Sequence, residues 1–112
     1  MKIDARTVGD VHILDCRGKI TLGEGTMAVR TTVRDILQTG GRKIVLNLAD
    51  VNYIDSYGVG ELVSTYTTVT NQGGQLKLLC LTKRVQEVLA ITKLLTVFQS
   101  YDSETSAIAS FT

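Results

Sequence analysis

Apolar positions change their spacing several times along the chain, and each change marks a new element. Residues 2 to 8 and 11 to 18 read as two strands with Gly9-Asp10 between them, a hairpin-like start in which Val11, His12, Ile13, Leu14 and Cys16 fall on alternating faces. From Thr26 to Gln38 the period lengthens. Val29, Val33, Ile36 and Leu37 recur at helical spacing, and Thr39-Gly40-Gly41 supplies a stop.

Ile44-Val45-Leu46-Asn47-Leu48 is too continuously apolar for a half-exposed strand and suits a central, parallel one covered on both faces by helices. After Asp50 to Ile54 a second helical pattern runs through Val59, Leu62, Val63 and Tyr66 and ends at Asn71-Gln72-Gly73-Gly74. Leu76 to Leu81 repeats the buried-strand pattern. Thr82 is placed to cap a helix carrying Val85, Val88 and Leu89, Leu95 to Ser100 suits a last short strand, and Ser103 is placed to cap a terminal helix with Ala107, Ile108 and Phe111 on its apolar side. This alternation predicts an α/β layered domain: a mixed β-sheet of about four to five strands covered by about four α-helices, all within one domain, 1–112.

Composition narrows the function classes. At 112 residues the chain supports one core, and 44% hydrophobic with 21% charged residues is a globular mixture. Twelve basic residues are scattered among eleven acidic ones for a net charge of +1, so no basic patch favours a nucleic-acid partner. No run approaches the ~20 apolar residues of a membrane span, and Met1-Lys2-Ile3-Asp4-Ala5-Arg6 does not resemble a signal peptide, which makes the cytoplasm the expected location. Cys16 and Cys80 lie in apolar, strand-like surroundings and are expected to be buried, reduced thiols. Neither a metal cluster nor a phosphate-loop lysine motif is visible, and His12, the only histidine, sits in a strand.

The candidate chemistry concentrates at Ile54-Asp55-Ser56-Tyr57-Gly58-Val59-Gly60, where a strand enters a helix. Asp55 and Ser56 are residue types that cap free N–H groups, and the glycines permit close backbone approach. A phosphate on Ser56 would bring about −1.5 to −2 charges to a helix N-terminus, where anions gain roughly 0.3–1 kcal/mol. The same residues also serve as an ordinary helix cap, and the local pattern leaves both readings open. Glu61, in the first turns of the helix, is expected to be solvated and without chemistry.

Over essentially its whole length the chain resembles the STAS family, named for sulfate transporters and anti-sigma factor antagonists. The resemblance is carried by Cys16-Arg17-Gly18-Lys19-Ile20, by Ile44 to Leu48, and by Tyr53 to Gly60. Gly73-Gly74 before Leu76-Lys77-Leu78 adds to it, as does Val85 to Leu89 followed by Leu94-Leu95. It implies an anti-sigma factor antagonist rather than an enzyme. In that scheme Ser56 is phosphorylated by an anti-sigma factor that is itself a serine kinase, and a phosphatase restores the free serine. The unphosphorylated form binds the anti-sigma factor and thereby releases a sigma factor; the phosphorylated form lets go. Asp55, Ser56, Tyr57, Gly58, Val59 and Thr21 are then the expected partner-binding residues. No cofactor is expected on this chain, since ATP and magnesium belong to the kinase, and the expected assembly is a monomer or weak homodimer.

Two positions depart from the family pattern. Tyr57 replaces a small residue, either as an interface anchor or as a locally packed ring, and Thr21 stands where an acidic residue is common. Two other readings compete with partner switching. One is an adaptor in a transport or signalling complex without phosphorylation of Ser56. The other is a small dinucleotide-binding enzyme, suggested by the glycine spacing at Gly23-Glu24-Gly25-Thr26-Met27-Ala28 with Asp50 downstream. The preceding strand, read as ending near Gly18, and the short chain argue against that enzyme.

Overall fold

The computed structural model describes residues 1–111, so of the range 1–112 only the last residue lies outside it. Nine elements follow one another: β1 (Lys2–Val8), β2 (Val11–Ile20), α1 (Glu24–Gln38), β3 (Lys43–Ile54), α2 (Ser56–Asn71), β4 (Gln75–Leu79), α3 (Lys83–Ile91), β5 (Ser100–Tyr101) and α4 (Glu104–Ala109). The strands form one mixed sheet in the order β1-β2-β3-β4-β5. β1 runs antiparallel to β2, and each later neighbour pairs in parallel. The expected mixed sheet with four helices is therefore present.

Alternation within each strand sorts side chains between two cores of unequal size. Ile44, Leu46 and Leu48 of β3 point, with Leu14 and Cys16 of β2 and Leu76 and Leu78 of β4, into the larger core beneath α1, α2 and α3. Val11, Ile13, Val45 and Leu79 point the other way, where Ala107 and Phe111 at the α4 end cover them. The coverage of β3 on both faces is thus real but lopsided: three helices on one side and one short helix on the other. Asn47, on the second face, is half-buried and donates its side-chain amide to Asp15 at 2.8 Å.

Several boundaries move, each for a local reason. α1 begins at Glu24, two residues before the first expected position, and β2 continues to Ile20. β4 stops at Leu79 because Cys80 turns into the left-handed region at φ 56°, which ends the pleat two residues early. The strand expected over Leu95–Ser100 is reduced to Ser100–Tyr101. Val97 N–H donates to the Leu94 carbonyl at 3.0 Å, a turn rather than a ladder. Phe98 reaches the core from that turn, edge-on to Tyr66 with ring centroids 5.4 Å apart. The Thr82 and Ser103 caps form as expected, accepting from Val85 N–H and Ser106 N–H at 3.3 and 3.2 Å.

The cysteines differ from one another. Cys16 is buried, and desolvation pushes its thiol up to about 12, with the nearby Asp15 charge adding to the rise. Cys80 is only half-buried and directs its S–H to the Asp102 carbonyl at 3.3 Å. Both are free thiols, so burial was expected correctly for the first and too strongly for the second.

Candidate functional site

Two parallel strands, β2 and β3, end side by side with Ile20 opposite Ile54, and the chain leaves each toward a helix. Asp55 ties the two exits together. Its Oδ1 accepts Gly58 N–H at 2.8 Å, capping α2, while its Oδ2 accepts Leu22 N–H at 3.2 Å from the loop that leads to α1. Its own N–H points to the Ile20 carbonyl at 3.4 Å. Both carboxylate oxygens are thereby committed to backbone donors, which gives Asp55 a positioning role.

Ser56 is the first residue of α2 and is exposed. What raises it to the surface is the close seating of the turn beneath. A Cβ on Gly58 would lie 2.0 Å from the Ile20 carbonyl oxygen, so only glycine lets α2 approach β2 at this depth. Gly58 and Val59 are both buried, and Val59 therefore contributes to the core rather than to an outward surface. Tyr57 is 59% exposed and Leu22 65%, so the expected partner-binding set divides. Ser56 and Tyr57 face outward, Asp55 and Thr21 are half-buried, and Gly58 and Val59 lie underneath. The Thr21 carbonyl accepts Thr26 N–H at 3.1 Å, which fixes the entry to α1.

Ser56, Tyr57 and Leu22 border an open groove of about 250 Å³ between α1 and α2, which Arg30 and Glu61 also line. Glu61 corrects the sequence expectation. Its side chain is 3% exposed and forms an ion pair with Arg30, whose Nε and Nη2 both donate to Oε1 at 3.1 and 2.7 Å. Thr65 Oγ1 donates to Oε2 at 3.0 Å. The position was read as solvated because the helix sequence alone does not show that α1 packs across it. The missed signal was Thr65 at i+4 and a helical arginine in the preceding amphipathic segment.

The glycine-rich start of α1 is consumed by packing. A Cβ on Gly25 would lie 2.4 Å from the Lys19 carbonyl, Gly23 N–H donates to Thr26 Oγ1 at 3.3 Å, and Thr26 N–H is bonded to Thr21. These amides are turned inward rather than toward a pyrophosphate. Asp50 stands within β3 opposite Arg17, their side chains 3.8 Å apart, not at a strand end. No group of three or more His, Cys, Asp or Glu side chains among the described residues is arranged to hold a metal ion. No described helix is long and apolar enough to cross a membrane.

Comparison with known proteins matches a STAS domain model to residues 2–107. A candidate anti-sigma factor antagonist of Thermotoga neapolitana is 31% identical over 103 residues, covering 92% of this chain and 91% of that protein. The anti-sigma-B factor antagonist of Bacillus subtilis is 43% identical over 54 residues, 48% of this chain and 50% of that one. The crystal structure of a candidate anti-sigma factor antagonist from Thermotoga maritima superimposes with a TM-score of 0.87 at 29% identity, covering 96% of this chain and 92% of the other.

Proposed function

The chain belongs to the STAS domain family, and on that premise we propose that it is an anti-sigma factor antagonist switched by phosphorylation of Ser56. In this reading the unphosphorylated protein binds an anti-sigma factor serine kinase and so releases a sigma factor. The kinase, carrying its own ATP and magnesium, phosphorylates Ser56, and a phosphatase reverses the step. The names of the similar proteins in Thermotoga and Bacillus support the class of partner.

The observation that carries the reading is the placement of Ser56, exposed at the start of α2 with the exposed Tyr57 ring next to it, on a turn pinned through both oxygens of Asp55. A rigid exposed hydroxyl can be presented to a kinase without unfolding the chain. The same hydroxyl lies on a surface where a phosphate alters binding directly. A partner that desolvates the unmodified turn would have to desolvate a phosphate, or place like charge against it, which costs several kcal/mol. A loss of about 3 kcal/mol weakens binding roughly a hundredfold.

Incubation with the cognate kinase and ATP, followed by mass analysis of the intact protein and its peptides, tests the reading. One phosphate on Ser56 is expected. Ser56→Ala should remain unmodified and still bind, whereas Ser56→Asp should bind roughly a hundredfold more weakly. A phosphate on another residue, or none, sinks the switch, and co-purification with a transporter ATPase in place of the kinase would favour the adaptor.

A further inference from the structure

We propose that Arg30 is the residue that holds a phosphate on Ser56, a role that rests on the phosphorylation reading above and specifies its regulation. The phosphate would arrive beside Asp55, whose carboxylate is already committed to Gly58 and Leu22 N–H groups and adds negative charge at the same turn. A dianion there needs a cation. Among the described residues lining the groove at Ser56, Arg30 is the only cationic one; the other ionisable side chains are Glu61 and Tyr57.

Three features fit Arg30 to this task. Its guanidinium is held from below, because Nε and Nη2 both donate to Glu61 Oε1 and Glu61 is itself fixed by Thr65. Nη1 has no bonded acceptor among the described residues, and the arginine side chain is 62% exposed, so one edge of a planar five-donor fork remains free. Ser56 and Arg30 also line one and the same groove. Ser56, Gly60 and Ser64 succeed one another at four-residue steps along the groove face of α2. Gly60 has no atom within 4 Å of where its Cβ would stand, so packing does not require a glycine there. A glycine inside a helix costs roughly 0.5–1 kcal/mol relative to alanine. Its absent side chain adds no bulk to the groove that Ser56 and Arg30 share. Phosphorylation then places the new charge within reach of an arginine already anchored on a buried carboxylate, and Arg30 bridges Glu61 and the phosphate.

The test installs phosphoserine at position 56 during translation, so no kinase is needed, and follows the phosphate by phosphorus NMR against pH. In the otherwise unaltered protein the second phosphate ionisation should lie below that of a phosphoserine peptide by roughly half a pH unit, about threefold in proton affinity. Arg30→Lys should keep part of that difference. The double change Arg30→Gln with Glu61→Gln, which retains polar groups without stranding a buried carboxylate, should raise the ionisation toward the peptide's value, leaving only the part that the helix N-terminus supplies. The Arg30 Nε–H resonance should also move when Ser56 carries the phosphate. A titration identical in the unaltered protein and the double variant would overturn the proposal while leaving partner switching intact. Conversely, the expected shift in a protein that no kinase modifies would support Arg30 and sink only the natural switch.

Discussion

Gly58 and Gly60 stand two residues apart in α2 yet meet opposite surroundings. At Gly58 an added methyl group would have to displace the Ile20 backbone, its Cβ falling 2.0 Å from the carbonyl oxygen, whereas at Gly60 it would enter open space. Gly58→Ala should therefore destabilise the protein by about 1–3 kcal/mol or more through overpacking. Gly60→Ala should stabilise it by roughly 0.5–1 kcal/mol through helix propensity. Urea denaturation of the two variants beside the unaltered chain measures both, and equal effects would contradict the geometry. The Asp55 cap was legible in the sequence because capping depends on residues three apart. Its second bond, to Leu22, was not, because it joins positions 33 apart that only the parallel pairing of β2 and β3 brings together. Glu61 was misread for the same reason: its burial is a property of α1 against α2, and its own neighbours Gly60 and Leu62 carry no trace of Arg30.

α4 shows how an element too short to persist alone is retained. Six helical residues form no stable helix in water, yet both ends are fastened from other elements. At its start Arg6 of β1 bonds Glu104 while also bonding Asp15. Near its end Lys77, almost fully buried on β4, donates from Nζ to the Ser110 carbonyl and hydroxyl at 2.9 and 2.8 Å and lies 4.5 Å from the centroid of the Phe111 ring. The cation meets the carbonyl end of the helix, where positive charge is favoured. Lys77→Met keeps much of the apolar stem but leaves two Ser110 acceptors without their donor. It should cost about 1–3 kcal/mol and accelerate amide exchange over residues 107–110 more than in α1 or α2. Uniform acceleration would mean that Lys77 supports the whole sheet instead. The terminal helix was readable from Ser103 and the apolar positions after it. Its fastening was not, since a lysine inside Leu76-Lys77-Leu78 carries no sign that its partner lies 33 residues away. In the same way, the apolar run after Leu94 resembled a strand because turn residues that face a core are as apolar as strand residues.

Across the whole molecule, the ion pairs that join β1, β2 and α4 make stability depend on acid in a defined direction. Hydrogen bonding to Arg6 holds both Asp15 and Glu104 below their ordinary values of 3.8 and 4.5, and in return raises the Arg6 guanidinium. A carboxyl depressed in the folded state adds stability above its unfolded value, and that contribution disappears as pH falls through the folded value. The contribution is thus fully present at neutral pH, begins to fall near 4.5 as Glu104 takes protons in the unfolded chain, and continues to fall as Asp15 follows near 3.8. Arg6 is substantially exposed and solvent screens the pairs, so their combined worth is about 1 kcal/mol. Arg6→Gln should lower the urea midpoint at pH 7 by a corresponding amount, and the gap between variant and unaltered protein should narrow by pH 3. Raising the salt at pH 7 should narrow it as well, because exposed pairs are screened. The larger core beneath α1, α2 and α3 contains no member of this cluster. A gap that stayed constant from pH 7 to pH 3 would therefore assign the loss to packing of the Arg6 stem and remove charge as the link between the hairpin and the terminal helix.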